Sequence, residues 1–95
     1  MQLKWTDLAA QDLEKIESYI AQESILTIAI DVVLSIINTA ELILPRHPQA
    51  GRQGRVKSTR ELVIDGLPFL LVYREAASRI DVLRVLHSSQ PWPTA

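Results

Sequence analysis

Ninety-five residues with 47% hydrophobic side chains make a chain long enough for one domain around one core, expected over residues 1–95, and too apolar to be disordered. The absence of cysteine excludes disulfides and thiolate metal sites and suits a reducing cytoplasm, the expected location. The formal net charge of −1 hides an asymmetry: residues 1–45 carry only Lys4 and Lys15 as cations, and the other eight lie between Arg46 and Arg84.

Gln2-Leu3-Lys4-Trp5 alternates polar and apolar residues, the pattern of a half-buried strand. Thr6 then reads as a helix N-cap, with Asp7 placed favourably for the helix dipole. Ala9, Leu13, Ile16 and Ile20 recur at helical spacing, and Asp12, Glu14, Lys15 and Glu17 are assigned to the wet side. This predicts a helix over 7–22. After the polar break Gln22-Glu23-Ser24, a second helix is predicted from Ile25 to Leu44, ended by Pro45.

That second helix carries two apolar stripes. Ala29, Val33, Ile36, Ala40 and Ile43 form one, and Ile30, Leu34, Ile37 and Leu44 form the other. A helix packed on one side needs only the first. Either the core stripe is wide, or a partner chain covers part of the second. Asp31, Ser35, Asn38 and Glu41 interrupt the apolar run, so no tract reaches the roughly 20 continuous residues that span a bilayer. No secretion signal is visible either, and no membrane partner is expected.

Pro45 to Gly51 reads as loop. Arg60–Ile64 is the next strand, and Asp65-Gly66 is a hairpin signal because both residues tolerate positive φ. Beyond Pro68, Phe69, Leu71 and Tyr73 should face one way and Leu70, Val72 and Arg74 the other. Ala76-Ala77-Ser78 turns the chain into a last strand over Ile80–Leu86. Arg74 and Arg84, lone cations on apolar strands, should open onto one solvent face.

Chemistry-bearing patterns are sparse. His47 and His87 are far apart and stand beside no paired carboxylates, so no metal site is expected, and no cofactor motif is present. His87 followed by Ser88 and Ser89 is compatible with acid–base work, or with a histidine that merely ends a strand. The stronger signal is basic: Arg52, Arg55, Lys57, Arg60, Arg74 and Arg84 could neutralise phosphates or meet acidic groups on a protein. Few aromatics interleave with them, which disfavours a platform for stacked bases.

Several stretches, taken in order, resemble one family along essentially the whole chain. They are Trp5-Thr6, Ala9, Asp12-Leu13, Ile16 and Tyr19-Ile20-Ala21; then Pro48, Gly51-Arg52, Gly54-Arg55-Val56 and Thr59-Arg60-Glu61-Leu62. Val72-Tyr73-Arg74, Val82 to His87, Gln90 and Trp92-Pro93 follow. The family is the RelE/ParE superfamily of bacterial type II toxins. The resemblance implies an α+β fold of order β-α-α-β-β-β, with a helix hairpin packed on a mostly antiparallel four-stranded sheet. It also implies neutralisation by a cognate antitoxin in a hetero-oligomer. RelE-like members cut mRNA at the ribosome, whereas ParE-like members inhibit DNA gyrase without acting as enzymes.

The RelE-like ribonuclease positions match Glu61, Val63 and Leu70 here, and Ser88, Ser89, Gln90 and Pro91 stand where an arginine and a tyrosine are needed. Leu70 cannot stabilise a phosphorane and Glu61 repels phosphate. Only Arg74, Arg84 and His87 remain for a reduced ribonuclease site. The Arg84-Val85-Leu86-His87 ending and the Gly54 to Leu62 pattern look more like the ParE branch. Candidate target-binding residues are Arg52, Arg55, Lys57, Arg60, Arg74, Arg84, His87 and Gln90. Candidate antitoxin-binding residues are Ile30, Leu34, Ile37, Leu70, Val72, Arg74 and Arg84.

Overall fold

The structure is a computed structural model, and it describes residues 1–93. In chain order the elements are β1 (Gln2–Trp5), α1 (Asp7–Glu23), α2 (Leu26–Ile43), β2 (Arg52–Gln53), β3 (Arg60–Val63), β4 (Phe69–Ala76) and β5 (Arg79–His87). The strands form one sheet of order β1-β5-β4-β3-β2. Only β1 against β5 is parallel; the other pairs are antiparallel. The fold class is the α+β arrangement expected, with one correction. The sheet has five strands, because Arg52 and Gln53, just beyond the predicted loop and part of no predicted strand, pair with Glu61 and Arg60.

Thr6 is the joint between β1 and α1. Its Oγ1 accepts the Ala9 N–H at 3.3 Å, capping the helix, and donates to the Val82 carbonyl at 2.7 Å. One residue therefore ends the parallel strand, starts the helix and ties both to β5. Ser24 and Ile25 separate α1 from α2, a two-residue break that forces an antiparallel hairpin. The N-cap of α2 is Ile25, which supplies no side-chain acceptor.

The main core lies between the hairpin and one face of the sheet. Ala9, Ile36, Ala40 and Leu44 meet Leu62, Ile64, Phe69, Leu71, Tyr73, Ile80, Val82 and Val85. Leu44 thus belongs to the core rather than to the second stripe of α2. The other sheet face carries a smaller cluster of Leu70, Val72 and Leu86, against which Leu83 and Trp92 pack. Between β3 and β4, the Leu67 N–H donates to the Ile64 carbonyl at 3.2 Å, and Gly66 takes a φ of 77°. Only the glycine, not Asp65, uses the positive-φ region. This is the type II pattern within a longer loop, so only one of the two residues that tolerate positive φ adopts it.

Candidate functional site

The basic residues separate into three environments. In the first, β2 and the loop after it close around Glu61, which is 2% exposed. The carboxylate accepts Arg52 Nη2 at 3.2 Å, Arg55 Nε at 3.2 Å and the Arg55 backbone N–H at 3.0 Å. Burial works against ionisation of this carboxyl, but the hydrogen bonds from Arg55 and Arg52 outweigh it and hold the pKa below the ordinary range. Arg52 and Arg55 are thus anchors of the β2–β3 edge. Glu61 does not present bare negative charge, because two guanidinium groups cover it.

Next to this edge, Tyr73 holds the loop that leads into β2. Its hydroxyl accepts the Gly51 N–H at 2.9 Å and donates to the Pro48 carbonyl at 2.8 Å. Burial pushes the phenol pKa up. A Cβ on Gly51 would stand 2.8 Å from the Tyr73 ring and 2.9 Å from the Glu61 carbonyl oxygen, so no larger residue fits there without movement.

In the second environment, Arg84 is locked. Asp12 on α1 takes its Nε at 2.7 Å and its Nη2 at 3.0 Å, and also accepts the Val85 N–H at 3.0 Å. This forked pair covers the part of β5 that extends beyond its pairing with β1. The guanidinium carbon lies 5.6 Å from the centroid of the Trp92 ring. The hydrogen bonds that Arg84 donates to Asp12 raise the guanidinium pKa further. Cross-strand partners share a face, so Arg84 opposite Val72 and Arg74 opposite Asp81 do lie on the same side of the sheet. The Arg84 side chain is only 18% exposed, however, and does not open to solvent.

Leu70 and Val72 call for a similar correction. Both are buried in the smaller cluster, beside Trp92, rather than lining an open docking face. The indole Nε1 of Trp92 is itself buried without a hydrogen-bond partner among the described residues.

The third environment is open. Lys57, Arg60 and Arg74 line a shallow pocket of about 340 Å³ with Gln53, Ser58 and Glu75. Arg60 donates to the Gly51 carbonyl at 2.9 Å, and Arg74 lies 3.8 Å from Asp81, too long for a hydrogen bond. Asp81 instead accepts Arg79 at 2.9 Å.

His87 and Gln90 stand apart from all three. Gln90 Oε1 accepts the His87 N–H at 3.3 Å, while His87 Nδ1 accepts the Ser89 N–H at 3.1 Å. That fixes Nδ1 as an acceptor and Nε2 as the protonated nitrogen of the neutral ring. The ring packs edge-on to Phe69 at 5.6 Å and so shares the helix-side face of the sheet, opposite to Arg84. Arg74 pairs with Asp81, six residues from His87 along β5, or about 20 Å of extended strand. Arg74, Arg84 and His87 therefore do not converge, and the reduced ribonuclease site for which they were the remaining candidates is not assembled.

On α2, Ile30 and Leu34 are 40% and 48% exposed, and Ile37 is partly buried. Leu26 and Ile28, and Tyr19 on α1, are exposed as well. Although polar residues interrupt its apolar run, the helix is long and apolar enough by composition to cross a membrane, contrary to the sequence expectation, and only 17% of it is buried. The apolar surplus of the second stripe thus faces outward at Ile30 and Leu34.

The sequence model of the family described as the ParE toxin of the type II toxin-antitoxin system parDE matches residues 3–92, from β1 to Trp92. The Sinorhizobium fredii (strain NBRC 101917 / NGR234) protein Y4kP, whose name designates it provisionally as a toxin, is 37% identical over 91 residues. The match covers 96% of this chain and 92% of that relative. Among solved structures, one described as the chromosomal ParDE TA system from P. aeruginosa superposes with a TM-score of 0.86 at 29% identity. It covers 92% of this chain and 95% of the other.

Proposed function

This chain belongs to the ParE toxin family of the RelE/ParE superfamily, and on that premise we propose that it arrests growth by binding and inhibiting DNA gyrase, without catalysing a reaction of its own. It is a ParE-type toxin of a type II toxin-antitoxin system. The observation that carries the non-enzymatic part is the dispersal of Arg74, Arg84 and His87. A ribonuclease must place a base, an acid and a phosphate-stabilising cation around one phosphodiester. Here Arg84 is saturated by Asp12, and His87 lies on the other sheet face. Residues that cannot share a substrate can still contribute to a docking surface. A gyrase target also implies action in the cytoplasm.

The purified chain, titrated into a gyrase supercoiling reaction, is expected to block supercoiling and to accumulate double-strand breaks. Gyrase left untouched over a broad titration would remove this reading.

The partner that neutralises the toxin is a cognate antitoxin, and the exposed stripe of α2 is the surface we assign to it. Apolar side chains at Ile30, Leu34 and Ile37 suit an amphipathic helix laid along α2. Leu34→Glu should weaken antitoxin binding by at least about tenfold, since it places a charge in an apolar contact, and should leave the fold intact. Unchanged binding by Leu34→Glu and Ile37→Glu would move the antitoxin surface elsewhere.

A further inference from the structure

We propose that the pocket bounded by Lys57, Arg60 and Arg74 is a seat for the phosphodiester backbone of duplex DNA. Its cations differ from Arg52, Arg55, Arg79 and Arg84 in having no settled counter-ion. Glu61 satisfies Arg52 and Arg55, Asp12 satisfies Arg84, and Asp81 is taken by Arg79 at 2.9 Å. Lys57 has no ion-pair partner among the described residues, and Arg74 has only the loose 3.8 Å approach to Asp81. Glu75 is the single acid in the lining, so the four charged side chains together carry +2.

The loop geometry holds this arrangement open. The Gly54 N–H donates to the Thr59 carbonyl at 2.8 Å, and Thr59 Oγ1 donates to the Val56 carbonyl at 2.6 Å, which closes the loop between them. Ser58 is at a φ of 68° within it, and Lys57 precedes it at the exposed tip. A Cβ on Gly54 would collide with Thr59 Oγ1, so the tight closure requires glycine.

The lining distinguishes a phosphate ligand from an acidic protein segment. Protein interfaces draw their affinity from an apolar and aromatic centre. Here Val56 is the one apolar side chain, and the rest are cations, amides, hydroxyls and Glu75. No aromatic ring lines the pocket, so it has nothing on which an unpaired base could stack. What remains is sequence-independent contact with the backbone of a duplex. The proposal adds to the gyrase reading, because gyrase works on duplex DNA, but it does not depend on that reading.

The test uses the full chain, labelled duplex DNA of arbitrary sequence and fluorescence anisotropy at low ionic strength, with no gyrase present. The wild type should bind with a log K against log salt slope between about −2 and −3, as two or three neutralised phosphates require. Lys57→Gln/Arg74→Gln should weaken binding about tenfold or more and flatten that slope by about 2. Lys4→Gln/Lys15→Gln removes the same charge from elsewhere and should leave the slope within about half a unit. Circular dichroism keeps misfolding from passing as lost binding.

Absence of DNA binding by the folded wild type overturns the proposal. So does an equal loss in the two double variants, which would mean that net charge alone is at work. Competition by polyglutamate as effective as that by unlabelled duplex, per charge, would assign the pocket to an acidic protein instead. Competition by inorganic phosphate on that scale would assign it to a free anion, and a preference for duplex RNA would assign it to the other nucleic acid. A gyrase assay without inhibition would leave a positive DNA result standing, so the two readings fail separately.

Discussion

Arg74 and Arg84 stand on neighbouring strands, on the same sheet face, and have different fates. Arg84 is clamped by a carboxylate from α1 and covered by Trp92, whereas Arg74 reaches the rim of an open pocket. A partner 72 residues away makes the difference. The lesson is that a cation on an apolar strand is available for function only where no carboxylate of the fold has already claimed it.

Breaking the locked side of this comparison should have the largest effect. Asp12→Ala leaves a mostly buried guanidinium and the Val85 N–H without their acceptor, at a cost of about 3 kcal/mol. In a chain of this size that lowers Tm by on the order of 15 °C, measurable by thermal circular dichroism.

Glu61→Gln should follow, at about 2 kcal/mol, because it discharges the acceptor shared by Arg52 and Arg55. It should also change the response to acid. The folded-state pKa of Glu61 lies below its unfolded value. Its contribution is therefore complete above the unfolded carboxylate range and is lost as pH falls through the folded value. Urea denaturation at stepwise lower pH should show a shallower acid loss in Glu61→Gln than in the wild type. Equal slopes would mean that Glu61 is not a source of the acid sensitivity.

Tyr73→Phe keeps the ring and deletes the two hydrogen bonds to the Pro48–Gly51 loop, for a loss of about 1 kcal/mol. Faster amide exchange at Gly51 would be its local signature, and an unchanged exchange rate would remove the tyrosine from that role. On the open side, Arg74→Ala should change stability by less than about 0.5 kcal/mol, since its approach to Asp81 is long and solvated. A loss as large as that of Asp12→Ala would erase the distinction between the two arginines.

The order of helices and long strands was legible because its signals are local. Helical spacing marked α1 and α2, alternation marked β1 and β4, and Pro45 marked the end of α2. β2 was not legible, because two polar residues, Arg52 and Gln53, have no periodicity and become a strand only by pairing with β3.

Helix periodicity assigns Asp12 to solvent, although it lies three residues after Ala9 and four before Ile16, on the edge of the buried stripe. That position was the available clue, but its partner on β5 could not be read from helix periodicity. The exposed stripe of α2 was visible as an excess of apolar positions. The burial of Leu70 and Val72 was not, since it depends on Trp92 folding back over them. The division of the cations into anchored and open sets is a property of tertiary contacts, and no feature of the 52–84 sequence separates Arg52 from Lys57.

The most direct measurement of the central claim, that this toxin acts by docking and not by chemistry, is transcriptome-wide mapping of RNA 5′ ends after induction of the chain without antitoxin. The account predicts growth arrest with no new 5′ ends in translated mRNA, and the same arrest from His87→Ala. New cuts at ribosomal A-site positions that disappear in His87→Ala would contradict it.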